Sequence, residues 1–318
     1  MSMSPEDRAF RVRALAKDHG FDRCGIARAK AIGRGDYLRE WLDTGRAGTM
    51  AYMHRYFDQR VDPRRLLDGA ISVVVVALLY HREQPARPPD TPDNPRGLVA
   101  RYAWGDDYHG VVKKKLHAMA DAMRTEFDEP FTAKACVDTA PLLEREWAAS
   151  AGIGWIGKNT MSLSSELGSY FVLGALVTTL DLATDTPVED RCGSCTRCLD
   201  ACPTGALVAP YQMDASRCIS YLTIERREAI CETIHKAMGR WVFGCDICQE
   251  VCPYNREGRA PIAEEPRFAV RPPAPNPDLS DILSWTEQDY REHLSGSAMK
   301  RATLDMLKRN ARIALANT

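Results

Sequence analysis

The residues most able to do chemistry are cysteines set at regular intervals. One run reads Cys192-Gly-Ser-Cys195-Thr-Arg-Cys198-Leu-Asp-Ala-Cys202-Pro203. Its spacing, C-x2-C-x2-C-x3-C-P, is that of bacterial ferredoxins, in which three thiolates hold one [4Fe–4S] cluster and the fourth reaches a second. A later run, Cys245-Asp-Ile-Cys248-Gln-Glu-Val-Cys252-Pro253, repeats the end of the pattern, and Cys218 lies upstream in place of its missing first member. Two clusters need eight thiolates, which these residues supply. The spacing assigns Cys192, Cys195, Cys198 and Cys252 to one cluster and Cys218, Cys245, Cys248 and Cys202 to the other. Each run lends its proline-flanked cysteine across. Disulfides would need an oxidising compartment, and zinc sites rarely use this spacing.

Composition limits where such centres work. The chain has 318 residues, 45% hydrophobic and 27% charged, the balance of a soluble globular protein with room for about two domains. With a formal net charge of −1, a nucleic-acid partner must be met by a local basic face. The first residues, Met-Ser-Met-Ser-Pro-Glu-Asp-Arg, carry no export pattern. The most apolar run, residues 71–80, falls short of the roughly 18 residues of a membrane span. Eleven cysteines in such a chain read as reduced metal ligands, so a cytoplasmic protein is expected. Cys24, Cys136 and Cys231, outside the two runs, read as small structural side chains.

A scaffold must position these groups. Ser4-Pro5 starts a helix that Gly20 ends, 21–27 is a short strand, and 36–45 is a helix stopped by Gly45. The β-branched run 71–80 reads as a strand covered on both faces, and proline-rich 85–95 as a surface loop. A helix begins near Asp107; 131–138 is a strand, 141–151 a helix, 152–159 a glycine-rich turn and 170–180 a strand. This alternation argues an α/β or α+β domain over 1–184. The cysteine segment follows at 185–260. A proline-rich strap and two short helices, after Thr286 and after Ser297, fill 261–318.

Gly152-Ile-Gly154-Trp-Ile-Gly157 has the letters of a dinucleotide fingerprint, but it follows a helix where the motif requires a strand, so no nicotinamide site is expected. Asp138 is more informative. It ends an apolar strand and precedes Thr139-Ala-Pro-Leu-Leu. Desolvation there would raise a carboxyl pKa toward what a general acid needs near neutral pH. The alternative is a helix-start Asp held by first-turn amides. The residues alone leave both readings open.

Five blocks occur in order over residues 137–255: Val137-Asp-Thr-Ala-Pro-Leu-Leu-Glu-Arg-Glu-Trp147; Ala151-Gly-Ile-Gly-Trp-Ile-Gly-Lys-Asn159; the first cysteine run continuing into Pro-Thr-Gly; Cys218-Ile-Ser-Tyr-Leu-Thr-Ile-Glu225; and Gly244-Cys-Asp-Ile-Cys-Gln-Glu-Val-Cys-Pro-Tyr-Asn255. Together they resemble the epoxyqueuosine reductase family. The resemblance implies an oxidoreductase that reduces epoxyqueuosine to queuosine in the anticodon loop of tRNA, the last step of queuosine synthesis. It implies base-off cobalamin and two [4Fe–4S] clusters. A cobalamin-binding domain resembling that of reductive dehalogenases would sit beside a ferredoxin-like two-cluster domain and a short helical tail.

By the same resemblance Asp138 matches the family's proposed proton donor. Arg60, Asp138, Lys158, Asn159, Ser220 and Asp246 fall in blocks lining its cobalamin and cluster side. A tRNA substrate makes phosphate contacts of Lys113, Lys114, Lys115, Arg226 and Arg227, where a solvated charged face is the plainer reading. Tyr102, Trp104 or Tyr221 would stack on a splayed base, with core burial the alternative. Asp107-Tyr-His109-Gly-Val-Val112 begins like the D-x-H-x-x-G motif whose histidine binds cobalt in some cobalamin proteins, with Val112 in the glycine's place. That departure suits a family binding cobalamin base-off without a protein histidine. Longer members append helical repeats that help bind tRNA, which this sequence is expected to lack. An electron donor completes the partners; nothing demands a membrane or more than a monomer.

Two other readings use the same cysteines. A reductive dehalogenase-like enzyme acting on a small molecule would usually bring an export signal and membrane association. A plain electron-transfer protein would leave the Asp138 and Gly154-Trp-Ile-Gly-Lys-Asn159 blocks without a role.

Overall fold

The valine-rich run becomes the strand Ser72–Leu79, buried along its whole length in a computed structural model that describes residues 3–85, 94–256 and 258–318. It lies inside a four-stranded sheet in the order Arg23–Arg28, Ser72–Leu79, Phe171–Thr178, Ala133–Cys136, antiparallel throughout. Alternate side chains of a strand face opposite ways, so one valine run feeds two cores. Val74, Val76 and Leu78 pack with the helices Pro5–Asp18 and Tyr108–Glu126. Val73, Val75, Ala77 and Leu79 pack with the helix Glu144–Ser150. Helices on both faces of an antiparallel sheet make this an α+β domain. The loop expected at 85–95 falls mostly outside the described residues.

One helix–strand hairpin positions the chemistry. Asp107 caps the 19-residue helix Tyr108–Glu126, its side chain accepting from the His109 amide at 3.0 Å. The chain then turns back into Ala133–Cys136, and helix and strand pack together. The helix's first turn therefore stands beside the strand's exit, where Asp138 follows. The helix expected from 141 starts at Glu144 instead, because 137–143 is spent on a turn in which Asp138 has φ +45. That left-handed backbone is uncommon outside glycine, although Asp tolerates it better than most residues.

Beyond the sheet, Trp241–Phe243 pairs in parallel with Leu98–Val99. The chain's last 40 residues include the helices Leu279–Ser284, Glu287–His293 and Leu304–Leu315, of which the first was not expected. They are no loose tail: Leu279, Ile282, Leu307 and Ala311 share a core with Val99, Trp104, Val242 and Phe243. Buried Asn310 donates to the carbonyls of Thr223 and Val242, both at 2.9 Å, tying the last helix to the cysteine segment.

Candidate functional site

The cysteines gather into two groups of four. Cys192, Cys195, Cys198 and Cys252 line one cavity together with Lys158, Arg197, Tyr254 and Arg259. Cys202, Cys218, Cys245 and Cys248 form the second group, each close enough to another member to affect its charge. Cys248 also feels Cys198, so the groups are neighbours. The exchange follows from two one-turn helices, Arg197–Ala201 and Ile247–Glu250, that pack on each other. Cys202 and Cys252 leave their C-terminal ends toward the opposite run. Burial pushes Cys198 up to about 11 and raises Cys245 and Cys248 further. Thiols so placed ionise only if a cationic centre compensates, which is what iron supplies. Among the described residues no three His, Cys, Asp or Glu side chains are set to hold a single metal ion.

Four of the expected cofactor residues serve these loops. Lys158 Nζ donates to the carbonyls of Gly193 (2.5 Å) and Cys195 (3.0 Å). Asn159 Nδ2 donates to the Cys248 carbonyl at 3.3 Å. Ser220 lies two residues past Cys218, its amide hydrogen-bonding toward that sulfur. Asp246, 1% exposed, accepts from the Arg101 amide at 2.7 Å, and burial pushes its carboxyl up to about 7. Trp155 Nε1 lies 3.5 Å from the Cys192 sulfur, a contact the sequence did not suggest.

Asp138 occupies a separate place. Its side chain is 61% exposed, yet charged and aromatic groups from several elements lie close to it. Its Oδ2 lies 3.0 Å from His109 Nε2, and His109 Nδ1 lies 2.7 Å from Asp107 Oδ1. Burial alone would raise the Asp138 carboxyl, but the His109 hydrogen bond and charge, with Tyr108 and Arg301, hold it below the usual range. Of the two readings the residues left open, desolvation toward a raised carboxyl is outweighed here by a histidine 29 residues earlier in the chain. Burial would lower His109; its bonds to Asp107 and Asp138 outweigh this and push it up to about 9. The raised carboxyl is Glu144, pushed up to about 7 first by burial and then by the charge of Asp138. Arg60 is 7% exposed and feels both carboxylates. Its Nε and Glu144 Oε1 are buried without a hydrogen-bond partner.

Of the other candidates, Lys113, Lys114 and Arg227 are exposed. Lys115 instead pairs with Glu265 at 2.7 Å and donates to the His19 carbonyl. Arg226 donates to the Ala229 carbonyl. Trp104 and Tyr221 are core residues, and the Tyr221 hydroxyl accepts from the Thr49 amide at 2.8 Å. Tyr102 is partly buried between the cores. Among the other cysteines Cys136 is buried and Cys24 partly so, but Cys231 is exposed beside Thr233, which lowers its pKa. The exposed rings of Tyr52 and Tyr56, beside Arg55, give no signal in the sequence because aromatic residues there read equally well as core.

Comparison with known proteins agrees with this arrangement. The model of the 4Fe-4S double cluster binding domain matches residues 191–255, and that of epoxyqueuosine reductase QueG, DUF1730, matches 60–139. An epoxyqueuosine reductase of Xanthomonas campestris pv. campestris is 40% identical over 98% of this chain and 88% of its own. A solved epoxyqueuosine reductase bound to an epoxyqueuosine-modified tRNA-Tyr stem loop superposes with TM-score 0.90 at 35% identity, over 97% of this chain and 80% of that one. A Bacillus subtilis enzyme, solved with its catalytic aspartate loop swung out of the active site, gives 0.89 at 33% identity, over 97% and 81%. A catabolic reductive dehalogenase shares the fold alone, at TM-score 0.50 and 15% identity over 99% of this chain and 38% of its own. Likeness of this extent, on a chain that carries a double-cluster segment, makes the protein a member of the epoxyqueuosine reductase family.

Proposed function

We propose that this protein reduces epoxyqueuosine to queuosine in the anticodon loop of tRNA, with electrons entering through two [4Fe–4S] clusters and Asp138 giving the proton. The observation that carries this reading is an exposed, histidine-bound carboxylate with two groups of four cysteines in the same chain. The reaction adds two electrons and two protons, opens both carbon–oxygen bonds of the epoxide and releases its oxygen as water.

The residues around Asp138 fit cobalamin. Arg60 Nε and Glu144 Oε1 are buried polar atoms lacking a partner, and a corrin fringed with amides offers donors and acceptors that would satisfy them. Both ring nitrogens of His109 are engaged by carboxylates, which suits base-off binding without a protein histidine. When bound, cobalamin supplies a reducing centre able to cleave carbon–oxygen bonds. The chain's own work is then orientation and proton delivery. Arg60 and Glu144 would hold the cofactor, while Asp138 protonates the departing oxygen, assistance typically worth about 10² to 10⁴ in rate. Cys192, Cys195, Cys198 and Cys252 would hold one cluster and Cys202, Cys218, Cys245 and Cys248 the other, with Lys158, Asn159, Ser220 and Asp246 bracing their loops.

Exposed Lys113, Lys114 and Arg227 support contacts to tRNA phosphates. Tyr52 and Tyr56, 39% and 61% exposed, support stacking on unpaired bases. No described helix is long and apolar enough to cross a membrane. A tRNA substrate puts the enzyme in the cytoplasm, where we expect a monomer fed by a separate electron donor. Anaerobically reconstituted protein with cobalamin and a chemical reductant should convert epoxyqueuosine in a tRNA stem loop to queuosine, read by mass spectrometry, and should fail without cobalamin. Equal conversion without cobalamin would overturn the reading.

A further inference from the structure

We infer that Asp107 and His109 form a proton relay that recharges Asp138, with His109 as a positioning residue whose imidazole stores the proton that Asp138 delivers. This rests on Asp138 being the proton donor. It gives a role to the Asp-x-His sequence that cobalt binding does not use.

The geometry leaves His109 few choices. Nδ1 faces Asp107 Oδ1 at 2.7 Å and Nε2 faces Asp138 Oδ2 at 3.0 Å. A carboxylate only accepts, so both nitrogens are donors when both carboxylates are ionised, which means an imidazolium. The other arrangement keeps the Nδ1 proton on Asp107's side and moves the second proton from Nε2 to Oδ2. Asp138 is then a neutral acid, the form able to protonate an oxygen. A shift along one hydrogen bond interconverts the two states. Asp107 is fixed by capping the helix that carries His109, and the Tyr108 ring stacks on the imidazole at 4.1 Å.

The reaction's stoichiometry makes a store useful. Both protons end on the same oxygen, and one carboxyl carries one proton. In each pass the Nε2 proton goes to Oδ2 and the Oδ2 proton goes to the substrate oxygen. The neutral imidazole then takes a proton from water, to which its side chain is 32% exposed. The electrons come from the established reduction, so nothing further is consumed. The groups facing this relay are Tyr108 beside it, Arg60 and Tyr52, Glu144 from the helix after Asp138, and Arg301 and Tyr102. His109's elevated pKa is consistent with the doubly bonded imidazolium.

The test combines a titration and a rate. In the protein with clusters intact, the side-chain nitrogens of His109, followed by NMR with ¹⁵N-labelled histidine, should both carry protons at pH 7 and titrate near 9. Asp138→Asn should bring that titration down. In single turnover, His109→Gln should slow conversion about 10²-fold at pH 8, and the remaining rate should fall with rising pH well below the wild-type fall near 9. Asp107→Asn, which keeps a capping side chain, should give a smaller shift of the same sign. If His109 titrates below 7, or His109→Gln keeps the wild-type rate and pH profile while Asp138→Asn is inactive, the relay is refuted and Asp138 stands as donor. If Asp138→Asn is itself fully active, the parent reading fails.

Discussion

Replacing Glu144 by glutamine should stabilise the protein, and only at high enough pH. Burial and the nearby Asp138 charge push this carboxyl from 4.5 up to about 7. A tenfold change in a proton's affinity corresponds to about 1.4 kcal/mol, so ionised Glu144 costs the fold on the order of 3 kcal/mol. The sign follows from linkage. An acid with a raised folded pKa adds no penalty below the unfolded value near 4.5; the penalty grows as pH rises toward 7 and is constant above it. Glutamine keeps the shape and cannot ionise. Glu144→Gln should therefore melt within a degree or so of wild type at pH 5 and about 5 °C higher at pH 8, taking roughly 2 °C per kcal/mol for a chain of this size. The assay is anaerobic thermal unfolding with the clusters intact and cobalamin absent. A variant equally displaced at both pH values, or less stable at pH 8, would refute the assignment of Glu144 as a buried, electrostatically crowded carboxyl.

Other perturbations separate the parts. Cys252→Ala should cost the cluster held by Cys192, Cys195 and Cys198, and Cys202→Ala the other, each roughly halving iron from about eight atoms. Electron paramagnetic resonance of the remaining cluster should differ between the two variants, and identical spectra would contradict the crossed pairing. Gly154→Ala would drive a methyl group into the Leu163 carbonyl, so it should lower stability by about 1–3 kcal/mol in denaturant unfolding. The His109–Asp138 pair should make wild type lose stability as pH rises from about 6.5 to about 9. His109 has a raised folded pKa, so its contribution is complete below that window and gone above it. His109→Gln should show no such alkaline loss.

What the sequence revealed was whatever short-range pattern encodes. The grouping of the cysteines was readable because ligand geometry fixes spacing. The buried strand Ser72–Leu79 was readable because the seven residues after Ser72 are all apolar and leave no polar face. Charge was harder. Asp138 stands out in the sequence, but its ionisation does not, because His109, 29 residues earlier, reaches it only through the helix–strand turn-back. Glu144 reads as an ordinary first-turn acid, and only tertiary packing buries it. The C-terminal segment looks like a strap because its amphipathic helices are short; their apolar faces acquire meaning only against Val99 and Phe243.

The most direct measurement is single-turnover conversion of epoxyqueuosine tRNA by Asp138→Asn, with cluster and cobalamin absorption checked against wild type. Loss of about 10²-fold or more in rate, with both spectra unchanged, is the expected result. Full turnover by that variant would contradict Asp138 as the proton donor of this reductase.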